Sequence, residues 1–136
     1  MWIIALALAG MLAYTSISRS LGGKEIIPWR DDFTAAQMEV KQTGKPMLLY
    51  FTADWCGPCQ SMKRTTWADA NVDKALQQYV PTRIDIDRNS ELAMQYQIES
   101  IPQMLIIGDN GAVSKRFSEG AVNAAGFLEW LDAPVQ

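Results

Sequence analysis

Met47-Leu48-Leu49-Tyr50-Phe51-Thr52-Ala53-Asp54-Trp55-Cys56-Gly57-Pro58-Cys59 joins an unbroken apolar run to two cysteines three positions apart. The run Met47 to Thr52 has no polar alternation, which marks a strand buried on both faces. Pro58 is preset for the first turn of a helix, so the cysteines stand where a strand hands over to a helix. Unpaired N–H groups and the macrodipole at a helix start favour a thiolate on the first sulfur. Cys56 is therefore expected to be the nucleophile. Cys59, one turn further in, is expected to resolve a mixed disulfide formed on Cys56.

The bulk of the sequence narrows the alternatives. The two cysteines close too small a ring to staple distant elements, so their purpose is expected to be chemical. The chain has no histidine, which excludes every mechanism resting on imidazole. A closed zinc site needs four ligands, and neither a histidine nor a third cysteine is there to complete one. No metal and no cofactor is expected. Twelve basic residues are scattered among fifteen acidic ones, with a net charge of −3, so no nucleic-acid surface is expected either.

Working outward, the sequence divides into three parts over its 136 residues. Residues 1–18 form a membrane anchor or signal segment: Trp2 to Ile17 carries no charge, and its sixteen residues fall just short of the ~17 to 25 of a spanning helix. An uncleaved anchor through residues 2–17 is preferred, because no Lys or Arg precedes the run; cleavage after Ser16 or Ser18 is the alternative. Residues 19–25, with Gly22-Gly23, read as a linker, and residues 26–136 as one folded domain.

Within that domain, Asp31 or Asp32 opens a helix that Gly44 and Pro46 end. A helix from Pro58 to about Trp67 and a second from Val72 to Tyr79 follow the cysteines. Thr82 to Ile86 alternates as a strand, with Asp85 and Asp87 read as its end rather than as a metal site, and Ser90 to Tyr96 is a short helix capped by Asn89 or Ser90. Gln103 to Ile107 and Ala112 to Phe117 flank an Asn110-Gly111 hairpin signal, and Asn123 to Leu131 closes the chain as a helix.

The stretch Thr52 to Cys59 resembles the active site of the thioredoxin superfamily, and the resemblance covers most of the chain after residue 26. It implies an α/β thioredoxin-like fold: a central mixed β-sheet flanked by helices, here preceded by the apolar membrane segment. It further implies a cis Pro102 facing the cysteines, with the Ile101 backbone turned outward to pair with a bound peptide, and Gly120-Ala121 on the floor of the substrate groove. Trp55, Gly57 and Pro58 surround the cysteines. The pattern Lys45-Pro46 into Leu48-Leu49-Tyr50-Phe51, with Thr66 to Val72 beyond, is similar to the C-terminal domain of bacterial transmembrane thiol:disulfide interchange proteins.

Three positions depart from the family pattern. Tyr50 stands where the family has a buried aspartate that manages the resolving proton, so proton transfer at Cys59 is expected to be slow and Tyr50→Asp to speed it. Arg83 replaces a lysine near the cysteines and retains a charge able to stabilise a thiolate, while Arg64 replaces a proline that kinks the helix.

The expected function is a membrane-anchored thiol:disulfide oxidoreductase that reduces protein disulfides, fed by an upstream thiol electron donor. The alternatives are a disulfide oxidase or isomerase, and a redox-inert binding module. Arg19, Lys24 and Arg30 follow the apolar run, which favours a cytoplasmic domain, whereas the resemblance implies an extracytoplasmic, periplasmic one. The periplasmic side is preferred; the cytoplasmic face and secretion after cleavage are the alternatives.

Overall fold

The structure, a computed structural model, describes residues 23–135. The expected membrane segment and the first part of the expected linker lie outside the described residues. Among the described residues no helix is long and apolar enough to cross a membrane.

The core is built on β1, Met47–Thr52, whose six residues are all buried. Alternate side chains serve opposite layers. Leu48 and Tyr50 pack with Met62, Trp67 and Phe127, whereas Met47, Leu49 and Phe51 pack with Ala36, Val40 and Ile84. A strand with apolar side chains on both faces must lie inside a sheet, and β1 does. It pairs in parallel with β2, Val80–Asp85, and antiparallel with β3, Gln103–Ile107; β3 pairs antiparallel with β4, Val113–Phe117, giving the order β2-β1-β3-β4. Pro81 is tolerated because β2 is a sheet edge.

Helices cover both faces. On one side α1, Phe33–Thr43, begins at Asp32, whose side chain accepts from Ala35 N at 2.9 Å, and ends at Gly44 in the left-handed region, φ 72°. Its buried residues Ala36 and Val40 are four apart and face the sheet. On the other side lie α2, Gly57–Arg64, a 3₁₀ turn over Thr66–Ala68, α3, Ala70–Leu76, and α5, Ala124–Asp132. The short α4, Ser90–Gln95, follows β2.

The helix expected to run from Pro58 to Trp67 stops at Arg64. Thr65 leaves helical geometry, at φ −122° and ψ −86°, and its hydroxyl donates back to Ser61 O at 3.0 Å. That break turns Trp67 inward, where it is fully buried. The next helix starts at Ala70, two residues before Val72, because Asp69 Oδ1 accepts from both Asn71 N and Val72 N. Neither Asn89 nor Ser90 supplies the expected side-chain cap for α4: Asn89 holds the N-cap position, but its Nδ2 donates to Asp85 O.

The segment ahead of α1 is tied to the domain from Gly23 on. A Cβ on Gly23 would meet Ala68 Cβ and Arg64 O at 2.7 Å, so the chain passes hard against the end of α2. Ile26 N donates to Trp67 O at 2.9 Å, and Arg30 bridges Thr82 on β2.

Candidate functional site

The parallel pairing of β1 with β2 and the packing of α2 across the sheet leave the strand-to-helix turn at the carboxyl end of β1. Cys56 occupies the N-cap of α2 in an extended conformation, and its Sγ accepts from Cys59 N at 3.2 Å. The first turn of α2 holds no acidic residue and its last turn holds Lys63 and Arg64, so nothing opposes a negative sulfur at its start. The two cysteines are joined as a disulfide with Cα atoms 5.3 Å apart. Cys56 is 4% exposed and Cys59 fully buried, packed with Ala53 and against Ile86 and Ile101.

That difference assigns the chemistry. Cys56 keeps a small exposed area and Cys59 has none, so an incoming disulfide meets Cys56 first, and Cys59 acts on the sulfur already bound there. The Ile101–Pro102 peptide is cis, and Ile101 O lies 3.9 Å from Cys56 Sγ, so a strand-connecting loop brings a backbone edge beside the nucleophile. Trp55, Gly57 and Pro58 form an exposed rim; Trp55 is 67% exposed. Gly120, in the left-handed region at φ 91°, and Ala121 precede α5 and stand outside the buried cluster around the cysteines.

Tyr50 is fully buried, with its ring 5.3 Å from Trp29 and 5.1 Å from Trp67, which in turn meets Phe127 edge-on at 5.1 Å. An aromatic stack therefore fills the space behind the active-site helix, each pair contributing roughly 0.5–1.5 kcal/mol beyond its buried area. Burial pushes the Tyr50 phenol above its usual range, a rise tempered by the neighbouring Thr52 and Trp67. Those neighbours polarise it without meeting bonding geometry: Tyr50 Oη, Thr52 Oγ1 and Trp67 Nε1 are all buried without a hydrogen-bond partner. Tyr50 is a packing residue, protonated throughout the neutral range.

Arg83 is not a free charge beside the sulfurs. Its guanidinium donates to Glu25 at 3.0 Å and to both oxygens of Asp31 at 2.8 and 3.2 Å. These ion pairs hold its pKa up against the desolvation that opposes them. They fasten the segment before α1 to β2, with Trp29 Nε1 donating to the other oxygen of Glu25 at 2.7 Å.

Sequence reasoning gave no site role of their own to Glu25, Trp29, Asp31, Thr52 and Asp87. Asp87 was read only as part of a strand end, yet it accepts from Trp55 Nε1 at 2.9 Å across a separation of 32 residues. No local pattern announces such a pair. Thr52 carried a signal that was available: it is the single polar residue ending an apolar strand immediately before the cysteine turn.

Comparison with known proteins agrees with this geometry. Residues 28–108 match the family described as Thioredoxin-like. An H-type thioredoxin from Oryza sativa subsp. indica is 33% identical over 86 residues, covering 63% of this chain and 68% of that protein. The thiol:disulfide interchange protein DsbD of Colwellia psychrerythraea is 30% identical over 131 residues, covering 88% of this chain but 22% of that protein, so the chain spans about a fifth of that relative's length. Among solved structures, the oxidised C-terminal domain of Neisseria meningitidis DsbD superposes with a TM-score of 0.65 at 27% identity, covering 75% of this chain and 95% of that one. The match over 28–108 takes in the buried strand, both cysteines and the cis-proline, and the chain accordingly belongs to the Thioredoxin-like family, as a thiol–disulfide oxidoreductase.

Proposed function

We propose that this domain reduces disulfides of protein substrates at a membrane surface, Cys56 attacking and Cys59 resolving. The observation that carries the reading is the unequal exposure of a bonded pair, with Cys56 4% exposed beside the Ile101 backbone and Cys59 fully buried. An extended peptide aligned on that backbone edge would present its sulfur to Cys56, with the exposed Trp55 as an apolar contact. Ile101, Pro102, Gly120 and Ala121 form the groove in this reading.

The reductive direction rests on Gly57-Pro58 between the cysteines, which resembles the reducing members of the family. The membrane assignment rests on the apolar run over residues 2–17 and on the DsbD relatives. An extracytoplasmic position and an upstream thiol donor follow from the same likeness: disulfides persist outside the cytoplasm, and a reductant working there must be recharged.

The reading is tested by the reduction potential and by cysteine variants. A potential near about −270 mV supports reduction, and one near about −120 mV overturns it in favour of an oxidase. Cys56→Ser should abolish reduction of insulin disulfides, and Cys59→Ser should accumulate trapped mixed disulfides. Full cellular function in Cys56→Ser would instead identify a redox-inert binding module. A reporter fused after residue 136 and active only outside the cytoplasm supports the topology.

A further inference from the structure

When Cys59 attacks the mixed disulfide on Cys56, its thiol must first give up a proton, because the thiolate is the nucleophile. Cys59 is fully buried, so that proton has no direct path to solvent. Tyr50 cannot take it, being a protonated phenol enclosed by aromatic rings.

The chain offers another exit on the same side of the sheet. A cavity of about 300 Å³ opens beside α2, and its charged lining comprises Asp31, Asp54, Lys63, Arg83, Asp85 and Arg88. Lys63 stands one helical turn after Cys59, so the cavity runs along the helix that carries the resolving thiol. Thr52 lines it too. Its side chain lies on the face of β1 shared with Tyr50 and covered by α2, it is 6% exposed, and its Oγ1 is buried without a partner. Ala53, the next residue, packs against Cys59 itself.

Charge pairing singles out one acceptor. Arg83 is occupied by Glu25 and Asp31, which removes both of those carboxylates. Asp54 lies exposed on the loop before the cysteines. Asp85 is the register neighbour of Thr52 on β2 and therefore shares its face; one of its oxygens accepts from Asp87 N at 2.9 Å, and among the described residues no Lys or Arg closes an ion pair with it.

We propose that Thr52 and Asp85 carry the resolving proton of Cys59 into this cavity. The inference rests on Cys59 being the resolving thiol. As the Cys59–Cys56 bond forms and the Cys56–partner bond breaks, the Cys59 proton passes through water of the cavity, held there by the unpartnered Thr52 hydroxyl, to the Asp85 carboxylate. Cys59 is oxidised, the partner sulfur leaves reduced as a thiolate, and the partner takes its proton from water.

The test is stopped-flow resolution of an aromatic-thiol mixed disulfide preformed on Cys56, followed from pH 6 to 10. A small probe makes the measurement independent of the natural substrate and of the reductive direction; release of the aromatic thiol by the unaltered protein verifies the underlying reading separately. Thr52→Val and Asp85→Asn should each resolve at least about tenfold more slowly at pH 6–7. The deficit should shrink as pH rises towards about 10, where hydroxide takes over the role of proton acceptor. Thr52→Ser, which keeps the hydroxyl, should restore most of the rate, and Asp54→Asn should not slow it. Equal rates for Thr52→Val and Thr52→Ser, an Asp85→Asn deficit that persists at high pH, or a larger loss in Asp54→Asn than in Asp85→Asn would each overturn the proposal.

Discussion

Trp55 Nε1 donates to Asp87 Oδ2 at 2.9 Å, tying the residue before the nucleophile to the turn that follows β2. An indole that is 67% exposed has many rotamers open to it in the absence of such a bond. The carboxylate selects one and so holds an apolar plate beside Cys56. Asp87→Ala should release it. Because the bond is solvent-exposed, its loss should cost about 0.5 to 1 kcal/mol of substrate positioning, a roughly two- to fivefold rise in KM for protein disulfides. Exchange with a small disulfide that never touches Trp55 should change little. Steady-state reduction of insulin and of a small aromatic disulfide by the same variant makes the comparison, and an equal effect on both would show that Asp87 does not act through Trp55.

The parts of this molecule legible in the sequence are those specified by neighbours along the chain. Met47 to Thr52 was readable as a doubly buried strand because its period is visible in six consecutive residues, and the structure gives the same bounds. The pair Asp31-Asp32 and Gly44 announced the ends of α1 through local capping chemistry, with Asp32 the cap that forms, and Asn123, read as the first residue of the last helix, is its cap. The cysteine pair was readable because its function depends on spacing. Arg83 was not: its position suggested a charge for the sulfurs, and only the path of the segment before α1 brings Glu25 and Asp31 to it, 58 and 52 residues away. Trp67 shows the other failure, since it fits a helical pattern but the Thr65 break sends it into the core.

Tyr50 joins two consequences, and the first concerns pH. Burial holds its phenol above the unfolded value of about 10, so the folded state retains the proton more strongly. The stability this contributes is fully present below about pH 10 and is lost as pH rises through the folded value. Tyr50→Phe should flatten that alkaline limb, leaving the part due to Tyr79 and Tyr96, whose phenols burial also raises. At pH 7 it should be within about 1 kcal/mol of neutral, since it removes a buried hydroxyl that has no partner. Urea unfolding at pH 7 and pH 10.5 measures both; an unchanged alkaline slope would show that another group dominates.

The second consequence revises the sequence-based expectation for Tyr50→Asp. That exchange deletes a ring stacked between Trp29 and Trp67 and leaves a carboxyl in an aromatic enclosure. The lost packing alone amounts to about 3–5 kcal/mol, and desolvation keeps the new acid neutral or adds to the loss. Unfolding midpoints should therefore fall before any gain in turnover is seen. A folded Tyr50→Asp variant of undiminished stability would contradict the packing role.

Arg30 and Glu39 form the two-pronged ion pair that fastens α1 to the segment before it, with Nε–Oε2 at 2.9 Å and Nη2–Oε1 at 2.7 Å. The hydrogen bonds from Arg30 hold the Glu39 carboxyl below its ordinary range. A depressed folded value means that the stabilisation is fully present above the unfolded pKa of about 4.3 and is lost as pH falls through the folded one. Both side chains remain about a third exposed, at 34% and 32%, so water screens the pair and its contribution should be about 0.5 to 1 kcal/mol. Glu39→Gln should be less stable by that amount at pH 7, and the difference should close as pH falls through the depressed Glu39 value. Molar salt should shrink the difference at pH 7. Denaturant unfolding across pH 3 to 7 is the measurement, and a gap that stays constant with pH would mean that Gln disturbs packing on α1 rather than removing a charge.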